Sequence, residues 1–432
     1  MNSILIIYPH FPPSNLAGVH RPRLFSQHLP SFNWQPLILT VHEKYYEEKL
    51  DWNLVELLPP DLRIEKVKAF PVRKPRLIGD IGLRAFFQLY KKAKQLIKKE
   101  RFDFLYIPIP SFYGALLGRW LHASTGIPYG IDYIDPWVHN FPGSENKFSR
   151  HWLSKQLAKL LEPIAVKNAI LITGVSEGYY KGVMERNSFL KSRAVFAAMP
   201  YGGEIRDHTI IEASKASAYL FKKENGIIKL LYAGAMLPKA YQPLEEIFFC
   251  MAHFGNEFPV QLHFVGTGKT PDDNNGFNIK PLAEKYGLWQ SKVFEYPARI
   301  PYMDVLIHLK EADAVFILGS TEPHYTPSKV YQGVLSGKPI FAVLHQDSTA
   351  VNVITGSGAG ITVSFNGGND MDTLKKKFIR EWEHLPDYIS GFDPGKVDHY
   401  FFNSYSAKAV TATLVNSIEK ALCFEKSIRS FP

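Results

Sequence analysis

The chain has 432 residues, more than one ordinary hydrophobic core organises, so two domains are the default. Hydrophobic residues make up 46%, which excludes a disordered or fibrous chain, and the two cysteines, Cys250 and Cys423, fit neither a disulfide scaffold nor a thiolate metal site and so point to a reducing compartment. The net charge of +9 points to an anionic partner: a phosphorylated ligand, a membrane surface or nucleic acid.

The first segment, "MNSILIIYPHFPPS", has no basic n-region, and prolines end it at once; it reads as a first strand and not as a signal peptide. No apolar run approaches the roughly 20 residues that a membrane-spanning helix needs. The strands expected in the first half are "SILIIYP", "PLILTV", "IEKVKAF", "FDFLYIP", "PYGIDYI" and "AILITGV". Amphipathic stretches such as "RAFFQLYKKAKQLIKKE" and "HWLSKQLAKLLEPIAVKN" separate most of them. The second half repeats the rhythm with "IIKLLYAG", "VQLHFVG", "KVFEYPA", "DAVFILG", "KPIFAVL" and "AGITVSF", and with helices such as "PLEEIFFCMAHF" and "MDVLIHLKEA" between them. Continuous apolar strands alternating with helices indicate parallel sheets covered on both faces, hence two tandem doubly wound α/β domains.

The rhythm breaks in the polar stretch Met199 to Gly226, and the linker is placed near Tyr201 to Asp207. The expected division is a Rossmann-like acceptor domain over 1–205, a Rossmann-like donor domain over 206–403, and a last helix and tail over 404–432. In such an arrangement the carboxyl ends of both sheets face one cleft, and ligands of open sheets bind there, so the loops after strands are the places to search.

After the first strand, a Pro/Ser/Gly loop with Gly18 leads into a helix opening with Arg21 and Arg23. That is a phosphate-site layout, or an ordinary loop with solvated arginines. No G-x-G-x-x-G fingerprint and no G-x-x-x-x-G-K-[ST] run is present, which disfavours a nicotinamide cofactor and an ATPase. Asp132, Asp135 and His139 stand at the end of "YGIDYI", as a turn before Pro136 or as catalytic and acceptor-binding groups. In the second half, Gly234 ends a strand and Lys239 follows it; Arg299 and Lys269 close two others.

The stretch "TPSKVYQGVLSGKPIF" reads as a helix capped by Thr326, with Pro327 first and Gly337 as its stop. Val330 and Val334 face the sheet, while Ser328, Lys329 and Gln332 gather near the N-terminal end. This suits a diphosphate carrying a polyhydroxy group; the plainer reading is a capped core helix with a solvated lysine.

At these residues the chain resembles the retaining glycosyltransferases of family 4, which have the GT-B fold. "FPPSNLAGVHRPRLFSQHL" is similar to that family's first glycine loop, "YIDPW" to the turn of its bacterial polysaccharide branch, "LYAGAMLPKAYQPLEEI" to the start of its donor domain, and "TPSKVYQGVLSGKPI" to its nucleotide-sugar helix. The resemblance implies transfer of a sugar from a nucleotide diphosphate sugar to a glycan or lipid-linked acceptor, with retention, in cell-surface polysaccharide synthesis. Carried over, it implies that Gly18 lies near the donor phosphates, that Lys239 and Lys329 neutralise the diphosphate, and that Gln332 stands at the donor ribose. Together with the strand-end residues, the expected set is Asp135, Lys239 and Lys329 in catalysis, Gly18, Gly234, Arg299, Glu322, Ser328 and Gln332 on the donor, and Arg21, Asp132 and His139 on the acceptor. The chain departs from the family where Gln332 replaces the usual glutamate, where His324 takes the place of the upstream acid with Glu322 nearby, and where Ala235 replaces an arginine.

No D-x-D metal pair is expected, so the mechanism needs no cofactor and no metal: preorganised cations stabilise the leaving diphosphate, which takes the acceptor's proton, while Asp135 orients the acceptor hydroxyl or supports the oxocarbenium-like centre. A non-hydrolysing nucleotide-sugar epimerase and a non-catalytic nucleotide-sugar-binding protein are the alternatives. Nucleic acid is not an expected partner, because the cations are not interleaved with an aromatic recognition motif. The place of action is expected to be cytoplasmic, with peripheral contact to anionic membrane through "RLIGDIGLRAFFQLYKKAKQLIKKER" and "KFSRHWLSKQLAKLLEP", for which two ordinary helices with solvated lysines are the plainer reading.

Overall fold

The structure, a computed structural model, describes all residues except 73–78, 140–143, 214–215, 256, 271 and 431–432, and the side chains of 428–430. Arg76 to Ile78, the start of the first basic stretch, therefore lie outside the described residues.

The chain divides into two compact units. The first comprises Met1–Tyr201 together with Ala407–Pro432, and the second Gly202–Ser406. Among the described residues the first unit holds seven strands: β1 (Asn2–Ile7), β2 (Trp34–Val41), β3 (Arg63–Val67), β4 (Phe104–Ile109), β5 (Tyr129–Tyr133), β6 (Leu171–Gly174) and β7 (Val195–Ala198). They form one sheet in the order β3-β2-β1-β4-β5-β6-β7, with every pair parallel. β7 is not among the expected strands. It is a short edge strand, "VFAA", whose residues are half-buried or exposed, so it lacks the apolar run that marks the others.

Period-two alternation sends Leu5 and Ile7 into one buried cluster and Ile4 and Ile6 into another, so the sheet is covered on both faces. The cover of the second face comes partly from the chain's end. Val410, Leu414, Val415, Ile418 and Ala421 of the Ala407–Ser430 helix pack with Ile4, Ile6, Phe25 and Trp34. The last helix is thus part of the first unit's core, although the sequence places it after the second domain.

The second unit holds β8 (Ile228–Ala233), β9 (Val260–Val265), β10 (Val293–Tyr296), β11 (Ala314–Leu318), β12 (Ile340–His345) and β13 (Gly360–Phe365). Their order is β10-β9-β8-β11-β12-β13, again all parallel. Tyr232, Phe264, Phe316 and Phe341 fill one face, while Leu231, Val315, Ile317 and Ala342 are buried on the other. Both units are doubly wound Rossmann-like folds. Among the described residues no helix is long and apolar enough to cross a membrane.

Candidate functional site

In the second sheet the chain leaves β8 toward β9 on one side, and β11 leads to β12 on the other. The strand order reverses between β8 and β11, and the carboxyl ends there open the crevice where such sheets take ligands. The loops after these two strands carry Gly234, Lys239, Glu322 and Lys329. Gly234 has φ +120°, a conformation that side chains resist, and a Cβ there would stand 3.4 Å from Lys329 Nζ.

Lys329 opens the short helix Lys329–Leu335. The residue as a whole is half-buried, but its ammonium is out of solvent and has no hydrogen-bond partner among the described residues. The nitrogen lies 3.5 Å from the centre of the Tyr232 ring, which favours the charged form, and the Tyr232 hydroxyl donates to Ala235 O at 3.0 Å, which fixes the ring. Burial wins: it pushes the lysine down to about 7. The plainer reading, a capped core helix with a solvated lysine, does not describe this side chain.

Lys239 and Glu322 form an ion pair at 3.0 Å, and Thr321 N donates to Lys239 O at 3.2 Å, so the two loops are tied together. His324 is lowered by burial, opposed by Glu322 and aided by Lys239. Arg299, half-buried at the end of β10, packs against Gly266, the residue that follows β9. Ser328 is the N-cap residue, not Thr326 as expected; the Thr326 hydroxyl instead meets Thr349 Oγ1 at 2.7 Å. Val330 and Val334 are buried, and Gly337, at φ +70°, stops the helix as expected.

Gln332 is engaged from below: its Oε1 lies 2.8 Å from His208 Nε2. Burial lowers His208, so the neutral ring donates to the amide oxygen. A D-x-D triplet does occur, at Asp370-Met371-Asp372. Asp370 accepts from Asn366 N at 2.8 Å and Asp372 pairs with Lys375 at 3.0 Å, so both carboxylates serve the start of the Met371–Glu383 helix. Among the described residues no group of three or more His, Cys, Asp and Glu is placed to hold a metal ion.

In the first unit, Arg21 and Asp132 correct the expectation of acceptor binding. Both side chains are fully buried and paired through Arg21 Nε and, at 2.9 Å, through Nη2. Arg21 Nη1 donates to Met199 O at 2.7 Å and Pro200 O at 2.9 Å, and the Thr173 hydroxyl donates to Asp132 at 2.7 Å. With solvent excluded and the charges satisfied by protein, the pair holds the helix His20–His28, β5 and the exit of β7 together.

Asp135 is different. Its surface is exposed, yet protein atoms crowd its carboxyl and push it up to about 6. The buried hydroxyls of Tyr8 and Tyr201 are raised by burial first and by Asp135 next. Gly18 belongs to this end of β1: the Tyr8 hydroxyl occupies the space a Cβ would need. His139 is half-buried, its ring 6.4 Å from Phe112, which stacks on Trp137.

The residues that sequence reasoning missed are Tyr232, His208 and Tyr8. Tyr232 and Tyr8 look like any aromatic of a buried strand, and His208 falls in the polar stretch Met199 to Gly226, just past the expected linker. The signal for Tyr232 was its place two residues before Gly234, at the carboxyl end of a strand.

No family model and no curated protein matches the chain. Solved structures do. The chain is similar over 98% of its length to all of sucrose-phosphate synthase from Thermosynechococcus elongatus, with a TM-score of 0.61 and 11% identity. Over 97% of its length it matches all of Anabaena HepE in complex with UDP and glucose, with a TM-score of 0.61 and 14% identity. Over 97% it also matches 99% of the lipopolysaccharide outer core galactosyltransferase WaaB in its apo form, with a TM-score of 0.56 and 13% identity. At such identities the likeness is one of fold, and the fold is GT-B.

Proposed function

We propose that this chain is a retaining glycosyltransferase that moves a sugar from a nucleotide diphosphate sugar to a glycan or lipid-linked acceptor. One observation carries the proposal: Lys329 holds an unpartnered ammonium out of solvent at the switch point of the second sheet, beside a glycine that leaves room above it. A buried cation without a partner is costly, and a diphosphate would supply the missing charge. The fold shared with HepE and WaaB supports the reading, and HepE's complex makes UDP the first nucleotide to test. The sequence resemblance at "YIDPW" supports the glycan or lipid-linked acceptor.

In the reaction, the bond between the anomeric carbon and the diphosphate oxygen breaks, and negative charge develops on the diphosphate. Lys329 and Lys239 stabilise that charge where it forms. The leaving phosphate takes the proton of the acceptor hydroxyl, which attacks from the same face, and Asp135 orients that hydroxyl. Gly234, Arg299, Glu322, Ser328 and Gln332 shape the donor site in this proposal, and His139 the acceptor side. Metal-free catalysis belongs to it too: activity should survive EDTA, and loss on chelation restored by magnesium or manganese would remove this part.

The test is thermal shift with UDP, then with UDP-sugars, followed by product analysis with a labelled donor. A ligand that binds the folded state raises the melting temperature by mass action. Transfer to an acceptor supports the proposal. Isomerised donor would make the protein an epimerase, and binding without turnover a non-catalytic binder; either outcome overturns it.

A further inference from the structure

The helix Arg150–Val166 has two apolar faces. Ala158, Ala165 and Val166 are buried and Leu161 packs against the same core, so one face already covers the sheet. The other carries Leu153, Leu157, Leu160 and Ile164, at 52%, 40%, 66% and 45% exposure. The spacings of four, three and four residues put them on one stripe. Phe148, just before the helix, is 79% exposed and extends it.

The charges of this helix are one-sided. Arg150, Lys155 and Lys159 are basic, and the one acid, Glu162, is buried and paired with Arg186 at 2.8 Å. At the helix's C-terminal end a shallow pocket of ≈ 460 Å³ is lined by Arg119, Pro163, Ile164, Lys167, Phe189 and Arg193. Three cations rim an apolar floor, and among the described residues no carboxylate lines it.

The helix Phe86–Lys99, expected to behave alike, is a contrast. Its Phe86, Leu89, Ala93 and Leu96 are buried on the sheet, and Phe87, at 57% exposure, is its one large apolar side chain left open, so it carries no exposed apolar stripe. Basic amphipathic sequence alone does not distinguish the two helices.

We propose that the Arg150–Val166 helix and the pocket at its end dock the first unit on an anionic membrane surface. The leucine stripe enters the headgroup boundary with the helix lying flat, the lysines face lipid phosphates, and Arg119, Lys167 and Arg193 take one anionic headgroup over Ile164 and Phe189. Charge complementarity selects this occupant. A second copy of the chain docked through the same face would set these cations against themselves. The inference stands apart from the glycosyltransferase reading, since none of these residues belongs to the donor or acceptor site.

The test is co-sedimentation of the full chain with phosphatidylcholine vesicles and with vesicles containing phosphatidylglycerol. Binding to the anionic vesicles, weakened by salt, is expected, with little binding to the neutral ones. Leu157→Ser with Leu160→Ser should lower partitioning by roughly ten-fold or more. Arg119→Gln, Lys167→Gln and Arg193→Gln should each lower it on the order of five-fold. Apart from the half-buried Arg119 these side chains are exposed, so melting temperatures of the leucine, Lys167 and Arg193 variants should stay at the wild-type value, which separates loss of docking from loss of fold. Equal pelleting with both vesicle types, no pelleting, or both sets of variants pelleting like wild type would overturn the proposal. So would a wild-type dimer in light scattering that the leucine variants dissociate.

Discussion

Arg21 in the first unit and Lys329 in the second are both cations taken out of water near the carboxyl end of a parallel sheet. Arg21 is met by Asp132 and by two backbone carbonyls. Lys329 is met by the face of Tyr232 and, among the described residues, by no hydrogen-bond acceptor. The paired cation is complete, so its removal should damage the fold. The unpaired one is incomplete until an anion arrives, so its removal should damage ligand binding and leave the fold intact. Burial alone therefore does not mark a functional group; a missing partner does.

The largest expected effect lies on the paired side. Asp132→Ala leaves the Arg21 guanidinium buried without its carboxylate and should cost about 3–5 kcal/mol of stability, read from urea unfolding. A loss below 1 kcal/mol would mean that the pair is not what holds this end of the sheet, and the comparison would break.

On the other side, Lys329→Met should weaken UDP binding by roughly ten- to a hundred-fold, the range for a hydrogen bond to a charged group. Its stability should rise. The folded-state lysine titrates at about 7 against an ordinary 10.5, so between those values the unfolded chain holds a proton that the folded chain gives up. The ammonium therefore destabilises fully below about pH 7, and the penalty fades as pH climbs toward 10.5. The advantage of Lys329→Met over wild type should follow that window. Melting curves that are equal at pH 6 and pH 10 would contradict it.

These two residues also show how far the sequence could be read. The α/β alternation and most of the strands follow from apolar runs, because parallel strands buried on both faces carry continuous hydrophobic sequence, although β3, a charged edge strand, was placed without one. β7 escaped because an edge strand needs no such run. The end of the chain was separated from the first domain because adjacency in sequence says nothing of a helix that returns across a whole domain. Loop residues were located well, since carboxyl ends of strands are predictable positions. Their roles were not: Arg21 and Lys329 look alike as loop-to-helix cations, and only the side chains around them decide which is paired. Gln332 likewise gave no hint of His208.

A smaller effect sharpens the picture at Asp135. With its carboxyl at about 6, the ionised form needed to orient an acceptor hydroxyl is present above that value and lost below it. Turnover should rise with pH through about 6, and Asp135→Asn should lower the rate and flatten that limb in a pH–rate profile. An unchanged acid limb in the variant would assign it to another group.

The smallest effect is expected at Gln332. Gln332→Glu places a carboxylate beside His208 at the 2.8 Å contact, so the imidazole should be raised, as NMR titration of its ring protons would show, while UDP affinity changes little. Gln332→Leu removes His208's hydrogen-bond partner and should cost about 1–3 kcal/mol of stability.

The most direct measurement is calorimetric titration of UDP into wild type and Lys329→Met at pH 8, in buffers of different ionisation enthalpy. At that pH the free lysine is mostly neutral, and a diphosphate at its nitrogen draws it back to the charged form. Wild type should take up close to one proton for each UDP bound, and Lys329→Met should bind more weakly with no such uptake. Equal affinity and equal proton uptake in the two proteins would show that Lys329 does not meet the diphosphate.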